Sequence, residues 1–197
     1  MSGHRSVGRV QQETTAFFLC DIQEKMKSEI FQYASVVATA KKMIAAHQLL
    51  DIPLIVTEQA FGSTDSELDL TQAKINASKT KFSMYVPEVV KELKGIKTVV
   101  LFGIEAHVCI LHTVMDLLEN NYDVFLLVDG VSSTNASEIK HALNHVRSAG
   151  GFLTTSESVL FQLVGDVKHD KFKLISDLVK KTREATESNK LVSYGDL

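Results

Sequence analysis

Short unbroken apolar runs alternate with longer stretches whose apolar residues recur at helical spacing. The runs TAFFLCD (15–21), IPLIVTE (52–58), KTVVLFG (97–103), DVFLLVDG (123–130) and GFLTTS (151–156) read as strands, and the less apolar ASKTKFSMY (77–85) as a further one. Between them lie predicted helices at 23–50, 87–95, 109–121, 135–149 and 170–183. The helix at 87–95 carries Pro87 at its first position and Gly95 past its end. Continuous Val/Ile/Leu runs separated by helices argue for buried parallel strands covered on both faces. The expectation is an α/β protein: a three-layer α/β/α, doubly wound, parallel sheet of about six strands.

Such sheets bind ligands beyond the carboxyl ends of their strands. Asp21 ends the first strand, Glu58 the second and Asp129 the fifth, while Lys79 and Lys81 lie in the third. The turn GIEAHVC follows the fourth, and residues 154–157 end the sixth. Cys109 then falls at the start of a helix with an apolar face of Ile110, Val114, Leu117 and Leu118. A helix N-terminus stabilises a thiolate, which is the nucleophilic form of cysteine. Burial as an ordinary apolar residue is the competing reading of Cys109, helix capping that of Asp21, and loop solvation that of Lys79.

The 197 residues, 45% of them hydrophobic, suit one domain, expected over 13–183 with a flexible tail at 1–12 and a C-terminal tail at 184–197. The net charge of −3 and the lack of a basic run speak against a nucleic-acid partner. Cys20 and Cys109 are too few for a disulfide framework and read as reduced thiols. No run approaches the ~20 apolar residues of a membrane span, and MSGHRSVGRVQQ lacks the apolar core of a secretory signal. A cytoplasmic location is expected, with Arg5 and Arg9 before the first acid giving a faint mitochondrial-targeting character.

The segments FFLCDIQEKM, IPLIVTEQ, KTKFSM, VVLFGIEAHVCILHTVMDLLE, VFLLVDGVSS and GGFLTTSESVLFQLVGD together resemble the isochorismatase-like cysteine hydrolases over nearly the whole chain. The resemblance implies an Asp–Lys–Cys triad of Asp21, Lys79 and Cys109. The family lysine stands four residues before a serine, which selects Lys79 with Ser83 and leaves Lys81 as the fallback. Strand alternation alone puts both lysines on one face. The resemblance also implies a cis peptide at Ile104–Glu105, aiming backbone N–H groups at the Cys109 turn as an oxyanion hole. Gln23, Glu58, Phe61, Phe82, Ala106 and His107 are possible substrate contacts. Phe61, Phe82 and Tyr85 have core or subunit contacts as an equal alternative. Cys20 should point away from Asp21 into the core.

The chain departs from the family at two places. The Asp-x-His metal motif of the nicotinamidases is absent after the second strand, since no histidine lies between His47 and His107. No metal or other cofactor is therefore expected. Ala106 stands where close relatives carry threonine. The resemblance implies a hydrolase cleaving a C–N bond of a small amide or ureido substrate through an acyl-Cys109 intermediate, acting as a homo-oligomer. Alternatives are a catalytically idle member serving as an interaction protein and, lower, a nucleic-acid processing enzyme.

Overall fold

The structure is a computed structural model that describes residues 7–195. Six parallel strands form one sheet: β1 (Thr15–Cys20), β2 (Leu54–Gln59), β3 (Ile75–Lys79), β4 (Thr98–Ile104), β5 (Asp123–Ser132) and β6 (Phe152–Thr154). Their order is β3-β2-β1-β4-β5-β6, so the winding reverses between β1 and β4. This is the expected doubly wound architecture.

Alternation along the central strands builds the two faces. Phe17 and Leu19 of β1 and Val100 and Phe102 of β4 join a core with α1 (Tyr33–Leu50), α5 (Ser156–Val164) and α6 (Phe172–Lys181). Ala16, Phe18 and Cys20 of β1 and Val99 and Leu101 of β4 face the other way. They pack with α2 (Pro87–Val90), α3 (Leu111–Glu119) and α4 (Ala136–Ala149). A sheet buried on both faces explains why its strands read as unbroken apolar runs.

Several boundaries differ from the sequence expectation. The first helix begins at Tyr33 rather than near Gln23, because Gln32 takes a left-handed conformation (φ 51°) and the chain before it forms only a short 3-10 turn at Glu24–Met26. β3 stops at Lys79, where the chain turns back so that the carbonyls of Lys81 and Phe82 accept from the Lys79 ammonium. Alternation therefore does not relate Lys79 to Lys81. α5 is an additional helix, capped by the Thr155 hydroxyl, which accepts from the Ser158 N–H. Before α3 comes a π-helical turn, Ala106–Ile110, so the helical segment starts ahead of Cys109.

The predicted C-terminal tail packs on its own domain. It contains α7 (Arg183–Glu187) and a 3-10 turn at Lys190–Gly195, with Leu191 fully buried. Asn189 Nδ2 donates to the Asp129 carbonyl (2.8 Å), and Lys42 Nζ to Thr186 Oγ1 (2.6 Å). Of the predicted N-terminal tail, residues 1–6 lie outside the described residues, while Val10 is buried against the first core. Asp129 lies inside β5 rather than at its end. Its carboxylate accepts from Ser156 N–H and hydroxyl, and burial pushes its pKa up.

Candidate active site

The winding reversal opens a crevice beyond the carboxyl ends of β1 and β4, the place where doubly wound sheets take ligands. Asp21 leaves β1 in a left-handed conformation (φ 50°), which aspartate tolerates better than most residues. Its Oδ1 accepts from Thr57 Oγ1 (2.8 Å) and its Oδ2 from Lys79 Nζ (2.6 Å). Both partners of the ion pair are buried. Lys79 also donates toward Gln59 Oε1 (2.8 Å) and the carbonyls of Phe82 (2.9 Å) and Lys81 (3.2 Å). Four acceptors thus surround three ammonium protons.

The opposite wall is the turn after β4. The Ile104–Glu105 peptide is cis. The Glu105 carbonyl accepts from the N–H groups of Val108 and Ile110 (both 3.1 Å). Those of Ala106 and His107 open the turn, where a helix offers no internal acceptors. Glu105 Oε2 accepts from the Thr134 hydroxyl (2.9 Å) and N–H (3.2 Å). Gly103 makes the approach of β4 possible: its φ is 131°, and a Cβ there would lie 2.1 Å from the Cys20 carbonyl oxygen.

Between these walls lies a cavity of about 140 Å³. Asp21, Gln23, Phe61, Phe82, Glu105 and Cys109, all singled out from sequence, line it together with Ile104. Met26, Gln59 and Val108 line it as well and had not been singled out. The signal for Gln59 was the strand run IVTEQ, whose continuation sets Gln59 in register with Lys79. Gln23 is fixed from both ends, since its Oε1 accepts from Gln59 N–H (2.9 Å) and its Nε2 donates to the Gln59 carbonyl (3.1 Å).

Other expected contacts go elsewhere. Glu58 alternates away from the cavity and accepts from the Thr64 N–H and hydroxyl (both 2.7 Å) and from Asn76 (3.1 Å). Ala106 is buried beneath the turn, and His107 Nδ1 pairs with Ser133 Oγ (2.9 Å). Lys81 stands exposed, paired with Asp116 (2.6 Å). Cys20 is core, as expected. Burial, the neighbouring Cys109 thiol and the Asp21 charge push the Cys20 thiol up.

The sequence profile of the isochorismatase domain matches residues 15–158. The chain belongs to the isochorismatase family. Isochorismatase domain-containing protein 1 of Salmo salar is 41% identical over 180 residues, covering 88% of this chain and 64% of the fish protein. The chain thus spans less than two thirds of that relative. Isochorismatase domain-containing protein 2 of Xenopus laevis is 41% identical, with 91% and 90% of the two chains covered. Among solved structures, the MAR1 ribonuclease of Caenorhabditis elegans superposes with a TM-score of 0.83 at 40% identity, covering 87% of this chain and 92% of that one. The YcaC protein of Escherichia coli, described as an octameric hydrolase of unknown specificity, shares the fold (TM-score 0.80, 21% identity, 93% and 97% covered).

Within this isochorismatase domain, no three His, Cys, Asp or Glu side chains among the described residues converge as metal ligands. His107 and His112 are engaged separately, the latter with the Val108 carbonyl (2.8 Å). No described helix is long and apolar enough to cross a membrane.

Proposed function

We propose that the protein is a cysteine hydrolase that cleaves a C–N bond of a small amide or ureido substrate. The observation that carries this reading is one cavity shared by Asp21 and Cys109, with Lys79 bonded behind the carboxylate. Asp21 accepts the Cys109 thiol proton, and the thiolate sulfur bonds to the substrate carbonyl carbon. The developing oxyanion is held by N–H groups of the turn 105–109. The C–N bond then breaks, and the leaving nitrogen takes the proton from Asp21. Water adds to the thioester, giving its proton to Asp21, and the acid departs as the proton returns to sulfur. Lys79 touches no substrate atom in this scheme; it positions Asp21 and balances its charge.

The test is a screen of small amides and ureido compounds for ammonia release, with Cys109→Ala as control. Turnover that falls by about a thousandfold or more in the variant is expected. Full turnover in Cys109→Ala would sink the covalent route, and a purified protein inert to the whole panel would favour the idle-member reading.

The name of the C. elegans neighbour motivates a second reading, RNA cleavage. A net charge of −3 and a small cavity whose lining includes two acidic residues and no basic one speak against it. RNA left intact by the purified protein dismisses it. The homo-oligomer expectation belongs to the same proposal. Phe61 and Phe82, more than half exposed beside the cavity, are apolar surface that a second copy could cover. Light scattering that returns a monomer mass removes it.

A further inference from the structure

The hydrogen bonds of the crevice bear on what can enter it. Among the described residues no Lys, Arg or His lines the cavity; those near it each have a partner, although Lys25, exposed at the rim, has no carboxylate to neutralise it. Lys79 has more acceptors than protons, and releasing it would strand the buried Asp21 carboxylate. Lys25, at the rim, donates to the Phe61 carbonyl (2.7 Å), and its ammonium lies 3.6 Å from the Phe61 ring centroid. Lys81 is paired with Asp116. His107 faces Ser133 and Glu105, and His112 faces the Val108 carbonyl.

The remaining lining is anionic or apolar. Asp21 and Glu105 are the acidic residues among those lining a space of about 140 Å³. Met26, Phe61, Phe82, Ile104 and Val108 supply the rest of the wall apart from Cys109 and two glutamines. Both glutamine amides are held by the protein, each donating one N–H and accepting one bond. Gln23 is bonded twice to the Gln59 backbone, while the Gln59 side chain donates to the Thr80 carbonyl (2.9 Å) and accepts from Lys79. An apolar cavity of about 150 Å³ holds a benzene molecule, which sets the scale of the acyl group. Glu105 keeps one carboxylate oxygen, Oε1, without a partner among the described residues, an acceptor suited to an amide N–H.

We propose that the site takes an uncharged amide whose acyl group is apolar and on the scale of a benzene ring, and that it rejects ligands of the same size bearing a carboxylate. The inference rests on the cysteine-hydrolase reading for its chemistry, but its selectivity claim concerns only what reaches Cys109. Inside the cavity an anionic ligand would meet two acidic residues and, among the described residues, no lining cation to pair with it, and such unpaired burial is the repulsive element of specificity.

Two measurements on the full chain test it. The first compares iodoacetamide with iodoacetate, a neutral and an anionic alkylating agent of like size. The Cys109 thiolate displaces iodide in both cases, and peptide mass spectrometry separates Cys109 from the buried Cys20. Relative to the same pair acting on glutathione, iodoacetamide is expected to modify Cys109 at least about tenfold faster. A smaller preference overturns the proposal, as does failure of both reagents to modify Cys109. The second compares ammonia release from butanamide and succinamate, which differ by a methyl against a carboxylate. Butanamide is expected to be the better substrate by at least about tenfold, and succinamate as good as butanamide overturns the proposal. If neither amide is hydrolysed while the alkylation preference holds, the hydrolase reading fails and the ligand-class inference stands.

Discussion

Gly103 and Lys79 act on the site without facing the substrate. At Gly103 the backbone has φ 131° and a Cβ would sit 2.1 Å from the Cys20 carbonyl oxygen. Gly103→Ala is therefore expected to cost about 3 kcal/mol or more, from strain and displacement of β4, read as a lower urea midpoint. Replacing Lys79 with methionine leaves Asp21 buried with only the Thr57 hydroxyl. A loss of about 3–5 kcal/mol is expected, with part of it recovered in the Asp21→Asn/Lys79→Met double variant. An additive double variant in the same titration would show that the pair is not coupled. Asp21 and Cys109 were legible in the chain because each ends, or follows the end of, a strand, whereas Lys79, inside the expected strand 77–85, was selected over Lys81 by the family resemblance alone. Met26 and Val108 were not, because apolar residues at a site look like apolar residues in a core.

Elements were legible where their periodicity was unmixed. The central strands β1, β4 and β5 stand as unbroken apolar runs because both faces are covered. The start of α1 was misplaced because Met26, Ile30 and Phe31 continue an apolar spacing although their segment packs as a loop. The short helix α5 was missed despite its Thr155 cap and the left-handed Gly165 at its end. Element ends also offer a stability test. The C-cap of α1 is Asp51, exposed and left-handed at φ 53°. Asp51→Gly is expected to raise stability by about 0.5–1 kcal/mol, since glycine adopts that conformation without a Cβ penalty. Thermal unfolding that is unchanged or lowered would contradict this.

At the scale of the molecule, two contacts tie distant segments together. Glu67 accepts from Lys27 (2.8 Å) and Lys41 (2.7 Å), joining the loop after β2 to the 24–27 turn and to α1. Those lysines hold its carboxyl down at about 2, against an ordinary 4.5. A carboxylate with a depressed folded pKa stabilises fully above its unfolded value and loses that contribution as the pH falls through the folded one. The melting temperature should therefore decline between about pH 4.5 and pH 2, and Glu67→Gln should flatten that limb. The C-terminal segment is the second tie. Leu191 is fully buried, and Asn189 donates to the Asp129 carbonyl. Leu191→Ala is expected to cost about 2–5 kcal/mol in chemical denaturation. A surface-like change of under about 0.5 kcal/mol would mean that the segment contributes little to the folded state.

By itself the sequence determined the layered α/β class, the parallel sheet and the strand ends that carry Asp21 and Cys109. Those features follow from local periodicity, which every segment displays independently of its neighbours. Only the tertiary structure decided that Lys79 rather than Lys81 meets Asp21, that Glu58 turns from the cavity, that Cys20 meets Cys109, and that the final residues belong to the domain. Each of these depends on contacts between segments far apart in the chain, where register and a few left-handed residues set direction. Spacing along one strand cannot carry that information.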